Sequence, residues 1–189
     1  LNICEGRKIA LLERFAVPEF VDLVVRHRPR AVSLVPSALT MVLDAAVPTE
    51  VFSSVEVVTS GTAPLPVSVQ EAFEERYGVA VLPSYGATEF AGGVAGWNLA
   101  LHREWAKAKR GSVGRPQSGR EIRIVSAENG AEVPTGAQGQ IEVRTRGGHW
   151  VRTTDLGRVD ADGFLFVDGR TDDVIIRGGF KVTPSDIVS

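Results

Sequence analysis

Residues 55–89 read VEVVTSGTAPLPVSVQEAFEERYGVAVLPSYGATE, and this stretch decides the fold class. Its two apolar runs, at 55–61 and 79–86, are typical of buried β-strands. Between them, residues 65–77 have the pattern of a helix, and Gly78 follows as a helix stop signal. A strand, a helix and a strand in this order predict part of a largely parallel sheet.

The alternation of strands and helices extends toward the N-terminus. Residues 7–15 are interpreted as a short strand that leads into a turn. A helix is predicted over 17–28, because Pro18 stands at an early helical position and apolar residues recur at helical spacing. The run AVSLVP at 31–36 predicts another strand, and Ser37 can cap the helix that follows it.

The C-terminal half of the chain has a different pattern. Over residues 111–145, glycines separate short apolar runs such as EIRIV and QIEV, which predicts small antiparallel β structure. A hairpin is expected at 164–167, and the charged stretch at 169–173 indicates a boundary. The predicted fold class is therefore α/β, with a mostly parallel sheet and flanking helices followed by a small antiparallel β subdomain.

Charge and composition argue against several classes of protein. The chain has 189 residues, a net charge of −2 and 43% hydrophobic residues, so it carries no basic footprint for nucleic acid. No apolar run reaches the roughly 18–20 residues that cross a bilayer, and no transmembrane segment is expected. Cys4 is the only cysteine and the first residues do not resemble a signal peptide, which favours a cytoplasmic location without an internal disulfide.

The loop VTSGTAPLP at 58–66 has the small residues of a phosphate-binding loop. Such a loop normally carries a lysine, and none occurs between Lys8 and Lys107. The second polar loop, YGATE at 85–89, also follows a predicted strand. We therefore expect both loops at the same edge of the sheet, where ligands bind in folds of this class.

Five motifs occur in a fixed order along the chain: SGTAP (60–64), YGATE (85–89), TTDLG (153–157), DADGFLFVDGR (160–170) and GGFKVTP (178–184). In this order and spacing they resemble the adenylate-forming, or AMP-binding, superfamily of acyl-CoA synthetases, luciferases and peptide-synthetase adenylation domains. The segment KRGSVGRP at 109–116 is similar to the connecting β subdomain of that family. GGFKVTP resembles the acyl-CoA synthetase and fatty-acid–CoA ligase branch.

The resemblance implies an adenine site in the first of these motifs. Gly61, Ala63 and Pro64 would flank the purine, and Thr62 departs from the glycine that the family usually has there. This reading explains why VTSGTAPLP lacks a lysine, since the family's phosphate loop lies far upstream of this point.

The resemblance assigns the catalytic positions to YGATE. Tyr85 would stack on adenine, and Gly86 would leave room beside the adenylate. Thr88 would donate a hydrogen bond to the α-phosphate, and Glu89 would bind Mg²⁺, a cation that prefers carboxylate and phosphate oxygens. Thr88 and Glu89 are thus the implied catalytic residues.

The resemblance also implies a ribose site and a hinge. Asp155 would accept hydrogen bonds from both ribose hydroxyls, and Arg170 would contact the ribose as well. Thr154 departs from the family's usual glycine. Asp172 is the implied hinge of the mobile C-terminal domain, with Asp173 as the next candidate.

Two further sites follow from the same resemblance. Gly178 and Gly179 would form the tunnel for the pantetheine arm of CoA. The acyl pocket would be lined by Val35, Pro36, Gly92 and Gly93, which fits a fatty or an aryl acid.

The implied activity is that of an ATP-dependent acyl-CoA synthetase, which activates a carboxylic acid as an acyl-adenylate and transfers it to CoA. ATP, Mg²⁺ and CoA are the implied cofactors and cosubstrates, and a homodimer is a possible assembly. The alternatives are another adenylate-forming ligase that acylates a carrier protein, and a non-catalytic nucleotide-binding fragment.

The implied domain organisation is that of an internal fragment. Residues 1–105 would be the α/β part of the large nucleotide- and acyl-binding domain, 106–170 its β subdomain, and 171–189 the hinge and the start of the small C-terminal domain. The family's lysine-containing phosphate loop and its C-terminal catalytic lysine are both missing, so the fragment alone is expected to be inactive.

Overall fold

The computed structural model describes Gly6 and residues 8–171, 175–177 and 180–182. The chain divides into two compact units, Leu1–Val81 and Leu82–Ser189. The domain divisions expected at 105/106 and 170/171 remain predictions. Within the described ranges, no helix combines the length and the apolar character needed to cross a membrane.

The first unit contains the predicted alternation of strands and helices. Its elements are α1 (Val17–His27), β1 (Ala31–Ser33), α2 (Pro36–Asp44), a short 3₁₀ helix (Thr49–Phe52), β2 (Val57–Ser60), α3 (Val67–Tyr77) and the start of β3 (Ala80–Ala87). β1 pairs with β2 in parallel, with Ala31 opposite Val57. The strand order in this unit is β1-β2-β3. The predicted parallel α/β arrangement is therefore confirmed.

Two local predictions for the first unit are wrong. Residues 8–15 form neither a helix nor a strand, because their apolar side chains do not alternate between two faces: Leu11 is 84% exposed, whereas Leu12 and Phe15 pack against the core. α2 begins at Pro36 rather than after a Ser37 cap. Proline suits the first helical position because its φ is already helical and it lacks the N–H that would be left unpaired there.

The ends of the other two helices follow from single residues. α1 carries a proline in its first turn and ends at Arg28 in the left-handed conformation. α3 ends at Gly78 with φ 65°, where a glycine has no Cβ to clash, as the sequence predicts.

The core of the first unit is built around aromatic rings from α3 and the 3₁₀ helix. Phe52 packs against Phe73 and Tyr77, with ring centroids 5.4 and 4.5 Å apart. The Tyr77 hydroxyl lies 3.3 and 3.2 Å from the carbonyl oxygens of Val42 and Val47, to which it donates. The buried hydroxyl is thereby satisfied, as the energetics of burial require.

α3 is also tied to β3 by two polar side chains. Gln70 Nε2 donates to the Val81 carbonyl at 3.0 Å, and the Val81 amide donates to Glu74 Oε1 at 3.0 Å. Gln70 is buried, so this pairing fixes the start of β3 against the helix.

The second unit is mainly antiparallel. It contains the rest of β3, a 3₁₀ turn (Thr88–Phe90), β4 (Gly92–Gly96), α4 (Leu99–Trp105), β5 (Arg115–Pro116), β6 (Arg120–Val125), β7 (Gly139–Thr145), β8 (Trp150–Val159), β9 (Leu165–Arg170), β10 (Ile175–Arg177) and β11 (Phe180–Val182). β3, β4 and β5 pair antiparallel, as do β10 and β11. β6 to β9 form a four-stranded antiparallel sheet, which confirms the predicted β subdomain.

Alternation along the four-stranded sheet separates an apolar inner face from a charged outer face. The inner face contributes Ile124, Ile141 and Val143 to a core with Phe90 and Val94. On the outer face, Glu142 is 5% exposed and lies between two arginines of the neighbouring strands. Its carboxylate is 2.7 Å from Arg123 Nη2 and 2.9 Å from Arg152 Nε.

Candidate active site

The side chains of Tyr85 and Asp155 meet in the second unit. Tyr85 lies on β3 and Asp155 on β8, and the tyrosine hydroxyl donates a hydrogen bond to Asp155 Oδ2. Both residues are half-buried. Burial raises the pKa of Tyr85 well above its ordinary value, and the hydrogen bond to Asp155 raises it further. The phenol is therefore a neutral donor throughout the physiological pH range.

Asp155 is also fixed through its backbone. Its amide donates to Thr153 Oγ1 at 3.1 Å, and that hydroxyl donates to the Ile141 carbonyl at 3.0 Å. Gln140 Nε2 donates to the Thr153 carbonyl at 2.7 Å. Neither Thr153 nor Gln140 was predicted from the sequence. The position of Thr153 two residues before Asp155 was the only signal in the sequence; its burial, which requires a partner for the hydroxyl, is visible only in the structure.

Arg170 lies directly opposite Asp155 in the pairing of β8 with β9. The pairing continues one residue further, because the Thr171 amide and hydroxyl lie 2.7 and 3.0 Å from the Thr154 carbonyl. The structure thus brings together three of the residues predicted for the nucleotide, Tyr85, Asp155 and Arg170.

Gly86 lies where the backbone of β4 comes close to β3. A Cβ added to Gly86 would stand 2.6 Å from the Gly92 carbonyl oxygen, and the register of β3 against β4 shifts between Tyr85 and Gly86. The neighbouring strand therefore requires glycine here, whatever the residue does for a ligand. At Gly93 the space of a Cβ is instead filled by the Gln117 side chain, at 2.7 Å.

A short 3₁₀ turn begins at the backbone of Thr88, directly after β3. Glu89 lies on this turn, and its carboxylate is exposed. Magnesium usually takes one or two protein carboxylates and completes its shell with phosphate oxygens and water. A single exposed glutamate fits that chemistry. Among the residues with a described placement, no group of three or more His, Cys, Asp or Glu could hold a metal by itself.

Arg120 holds the segment that follows Glu89. Its Nη2 donates to the Phe90 carbonyl at 2.8 Å and its Nε to the Gly93 carbonyl at 3.3 Å. This contact was missed from the sequence, because it joins β6 to a turn that lies far away along the chain. It fixes the backbone immediately after Glu89.

The AMP-binding enzyme family model matches residues 1–149, which is most of the chain. The chain belongs to the AMP-binding enzyme family. Among curated relatives, 4-coumarate–CoA ligase 1 of Oryza sativa subsp. japonica is 31% identical over 96% of this chain and 36% of its own length. The 2-succinylbenzoate–CoA ligase of Bacillus pumilus is 30% identical over 98% of this chain and 40% of its own length.

Solved structures of AMP-binding enzymes have the same fold. The O-succinylbenzoate coenzyme A synthetase of Bacillus subtilis, in complex with ATP and magnesium ion, matches with a TM-score of 0.81 and 27% identity, over 97% of this chain and 40% of that one. ATP-bound MatB of Rhodopseudomonas palustris matches with a TM-score of 0.81 and 27% identity, over 94% and 37%. This AMP-binding chain therefore spans about two fifths of the length of these relatives.

The predicted adenine loop belongs to the first unit. It follows β2, which ends at Ser60, and Thr62 within it adopts φ 71°. A β-branched residue rarely takes this left-handed conformation, so the loop carries strain at the position where the family usually has glycine. The roles of Gly61, Ala63 and Pro64 stay predictions.

The remaining predicted positions are distributed over the chain. In the first unit, Val35 is 42% exposed and precedes the buried Pro36. Their acyl-pocket roles, and those of Gly92 and Gly93 in the second unit, stay predictions. Three positions fall outside the described residues: the hinge Asp172 and the CoA-tunnel residues Gly178 and Gly179.

Proposed function

We propose that the chain is part of an ATP-dependent acyl-CoA synthetase, in which it binds the nucleoside and the metal of the first half-reaction. The hydrogen bond from Tyr85 to Asp155, and the position of Arg170 opposite Asp155 in the pairing of β8 with β9, carry this proposal. The relatives named as CoA ligases support the reaction class.

In the proposed first half-reaction, this chain positions the nucleotide. The Tyr85 ring provides a face for adenine. The Asp155 carboxylate accepts hydrogen bonds from the sugar hydroxyls, and Arg170 contacts the sugar from the opposite strand. The backbone contacts of Thr153 and Arg120 fix Asp155 and the segment after Glu89 in advance, which avoids the cost of ordering them when the ligand binds.

Glu89 would hold Mg²⁺, which screens the phosphate charge when it is bound. A carboxylate oxygen of the acid attacks the α-phosphorus, and the bond to the leaving pyrophosphate breaks. The thiol of CoA then attacks the acyl carbon, AMP leaves, and the thiol proton is released. Positioning and charge stabilisation are the protein's main contributions to such a phosphorus-centred transfer.

The acid is proposed only as a class, a fatty or aryl carboxylic acid. Relatives of similar identity are named for 4-coumarate, 2-succinylbenzoate and long-chain fatty acids, and these acids differ widely in size and polarity. Val35, Pro36, Gly92 and Gly93 remain our proposed pocket residues, and Asp172 remains the proposed hinge, with Gly178 and Gly179 at the CoA tunnel. A cytoplasmic location and a homodimer complete the proposal.

Calorimetric titration of the 189-residue chain with AMP tests the nucleotide site directly. We expect binding that is weakened by Asp155→Ala, and no acid-dependent ATP–pyrophosphate exchange by the chain alone. The full-length enzyme should catalyse that exchange and lose it with Glu89→Gln. A chain that binds no AMP would contradict the proposal, and exchange by the chain alone that vanishes with Glu89→Gln would show that it needs no further segment.

A further inference from the structure

We propose that the Tyr85 hydroxyl is a positioning group that orients the Asp155 carboxylate for the hydroxyls of a bound ribonucleotide. The inference rests on the proposed function, and it adds a second task to a residue whose ring was assigned to adenine. It makes Tyr85 a determinant of sugar selectivity as well as a stacking surface.

The hydrogen bond joins two distant parts of the second unit. Tyr85 is carried by β3 and Asp155 by β8, and these strands are not paired with each other. Asp155 is thus held at two points, one on its backbone and one on its side chain. Thr153 fixes the backbone of Asp155 at 3.1 Å, and Tyr85 fixes one side-chain oxygen. Without the second contact, the side chain keeps its rotational freedom.

The pattern of partners leaves part of the carboxylate available. Tyr85 donates to Oδ2, whereas Oδ1 accepts no hydrogen bond within the part of the chain that is described. An ionised carboxylate has about four lone-pair positions, so the tyrosine occupies one and the others can accept from vicinal hydroxyls. Arg170 lies opposite on β9, at the same end of the strand pair.

The phenol is suited to this task chemically. A phenol is a neutral donor at physiological pH, and burial and the adjacent carboxylate raise the pKa of Tyr85 further above that range. A hydrogen bond from a neutral donor to an ionised acceptor is stronger than one between two neutral groups. Phenylalanine would fill the same space and offer the same ring face, so only the alignment of Asp155 requires the hydroxyl.

The test compares Tyr85→Phe with wild type for two ligands, AMP and 2′,3′-dideoxy-AMP, by calorimetric titration of the 189-residue chain. We expect the affinity of Tyr85→Phe for AMP to fall about five- to tenfold, since a hydrogen bond to a charged group is lost. Its affinity for the dideoxy nucleotide should stay within about twofold, because that ligand offers nothing to Asp155. Asp155→Ala should abolish the preference for AMP, and adding Tyr85→Phe to it should have no further effect.

Tyr77→Phe is the matched control. It removes the only other tyrosine hydroxyl of the chain, which is buried in the first unit and bonded to backbone carbonyls. We expect it to lower the thermal stability and to leave the ratio of the two affinities unchanged. In this background Tyr85 is the sole tyrosine, so alkaline titration by absorbance can follow its pKa without any nucleotide. Asp155→Ala should then lower the pKa of Tyr85.

The possible failures are distinguishable. If Tyr85→Phe weakens both nucleotides equally, or if Asp155→Ala leaves the pKa of Tyr85 unchanged, the positioning role is wrong while the proposed function stands. If the wild-type chain binds both nucleotides equally well, the ribose role of Asp155 fails and the inference fails with it.

Discussion

Asp155, in the middle of β8, and Arg170, the last residue of β9, are cross-strand partners. Their alignment depends on a shift of register between Leu156 and Gly157, beside which the backbones come very close. A Cβ on Gly157 would stand 2.4 Å from the Phe166 carbonyl oxygen. Gly157, which is adjacent in sequence to neither Asp155 nor Arg170, therefore allows the close strand contact that sets these two residues opposite each other.

Asp155→Ala is expected to weaken nucleotide binding about ten- to a hundredfold, since hydrogen bonds to a charged group contribute about 1.5–3 kcal/mol. Titration of the chain with AMP, or the KM for ATP in the full-length enzyme, measures the effect. Asp168→Asn is the matched control, because this carboxylate lies on β9 and pairs with Arg158. Equal effects of the two substitutions would show that TTDLG has been misassigned.

Gly86→Ala should destabilise the chain by about 1–3 kcal/mol, because its Cβ would overlap the backbone oxygen of Gly92, which cannot move without disturbing the pairing of β3 with β4. Gly93→Ala should cost less than about 1 kcal/mol, since the group in its way is the flexible, exposed side chain of Gln117. Urea unfolding measures both. A Gly93→Ala variant that is as unstable as Gly86→Ala would contradict this ranking.

Thr62→Gly should stabilise the chain by about 0.5–1 kcal/mol. The left-handed conformation at φ 71° costs an L-residue about 1–2 kcal/mol, and the added freedom of glycine in the unfolded chain returns part of that gain. Thr59→Gly, in extended backbone on β2, is the control and should be destabilising. Circular dichroism during urea unfolding compares the two, and stability losses of the same size would disprove strain at Thr62.

The Glu142 cluster should make the stability of the chain depend on pH. Burial favours the neutral acid, but hydrogen bonds from Arg123 and Arg152 prevail and hold the pKa of Glu142 below its ordinary value. Its contribution is therefore present above the unfolded pKa of about 4.3 and is lost as the pH falls through the lower folded pKa. Removing both arginines should reverse the direction in which stability changes with pH, because a buried carboxylate without a cation nearby favours protonation.

We expect the double variant Arg123→Met/Arg152→Met to lose about 3 kcal/mol near pH 7, with partial recovery toward about pH 4. Glu142→Gln should lose less, because the arginines left behind can reach water: their side chains are 32% and 41% exposed. Arg144→Met, which breaks the exposed pair with Glu121, should have little effect. A double variant whose stability falls further on acidification would refute the role of Glu142.

Local signals predicted much of the fold. α3 was located because its pattern is helical and Gly78 can take a positive φ, and β3 was located because its apolar run ends at a polar motif. The error over residues 8–15 has the opposite cause. Apolar composition alone indicates a strand only when a neighbouring strand and an alternating burial pattern support it.

The site residues were predicted from the resemblance of motifs. The contacts that support those residues could not be predicted in this way. Tyr85, Asp155 and Arg170 stand in recognisable motifs, whereas Arg120, Gln140 and the hydrogen bond between Tyr85 and Asp155 depend on strand register. Register is altered by shifts at Tyr85/Gly86, Gln140/Glu142 and Leu156/Gly157, and no local pattern in the sequence specifies them.

Both backbone polar groups of Val81 are bonded to side chains of α3, its carbonyl to Gln70 and its amide to Glu74. Exchange of that amide proton with deuterium therefore requires the hydrogen bond to the Glu74 carboxylate to break. The exchange rate of one resolved amide resonance would thus report how often this contact between α3 and the start of β3 opens, on a timescale that ligand titrations do not sample.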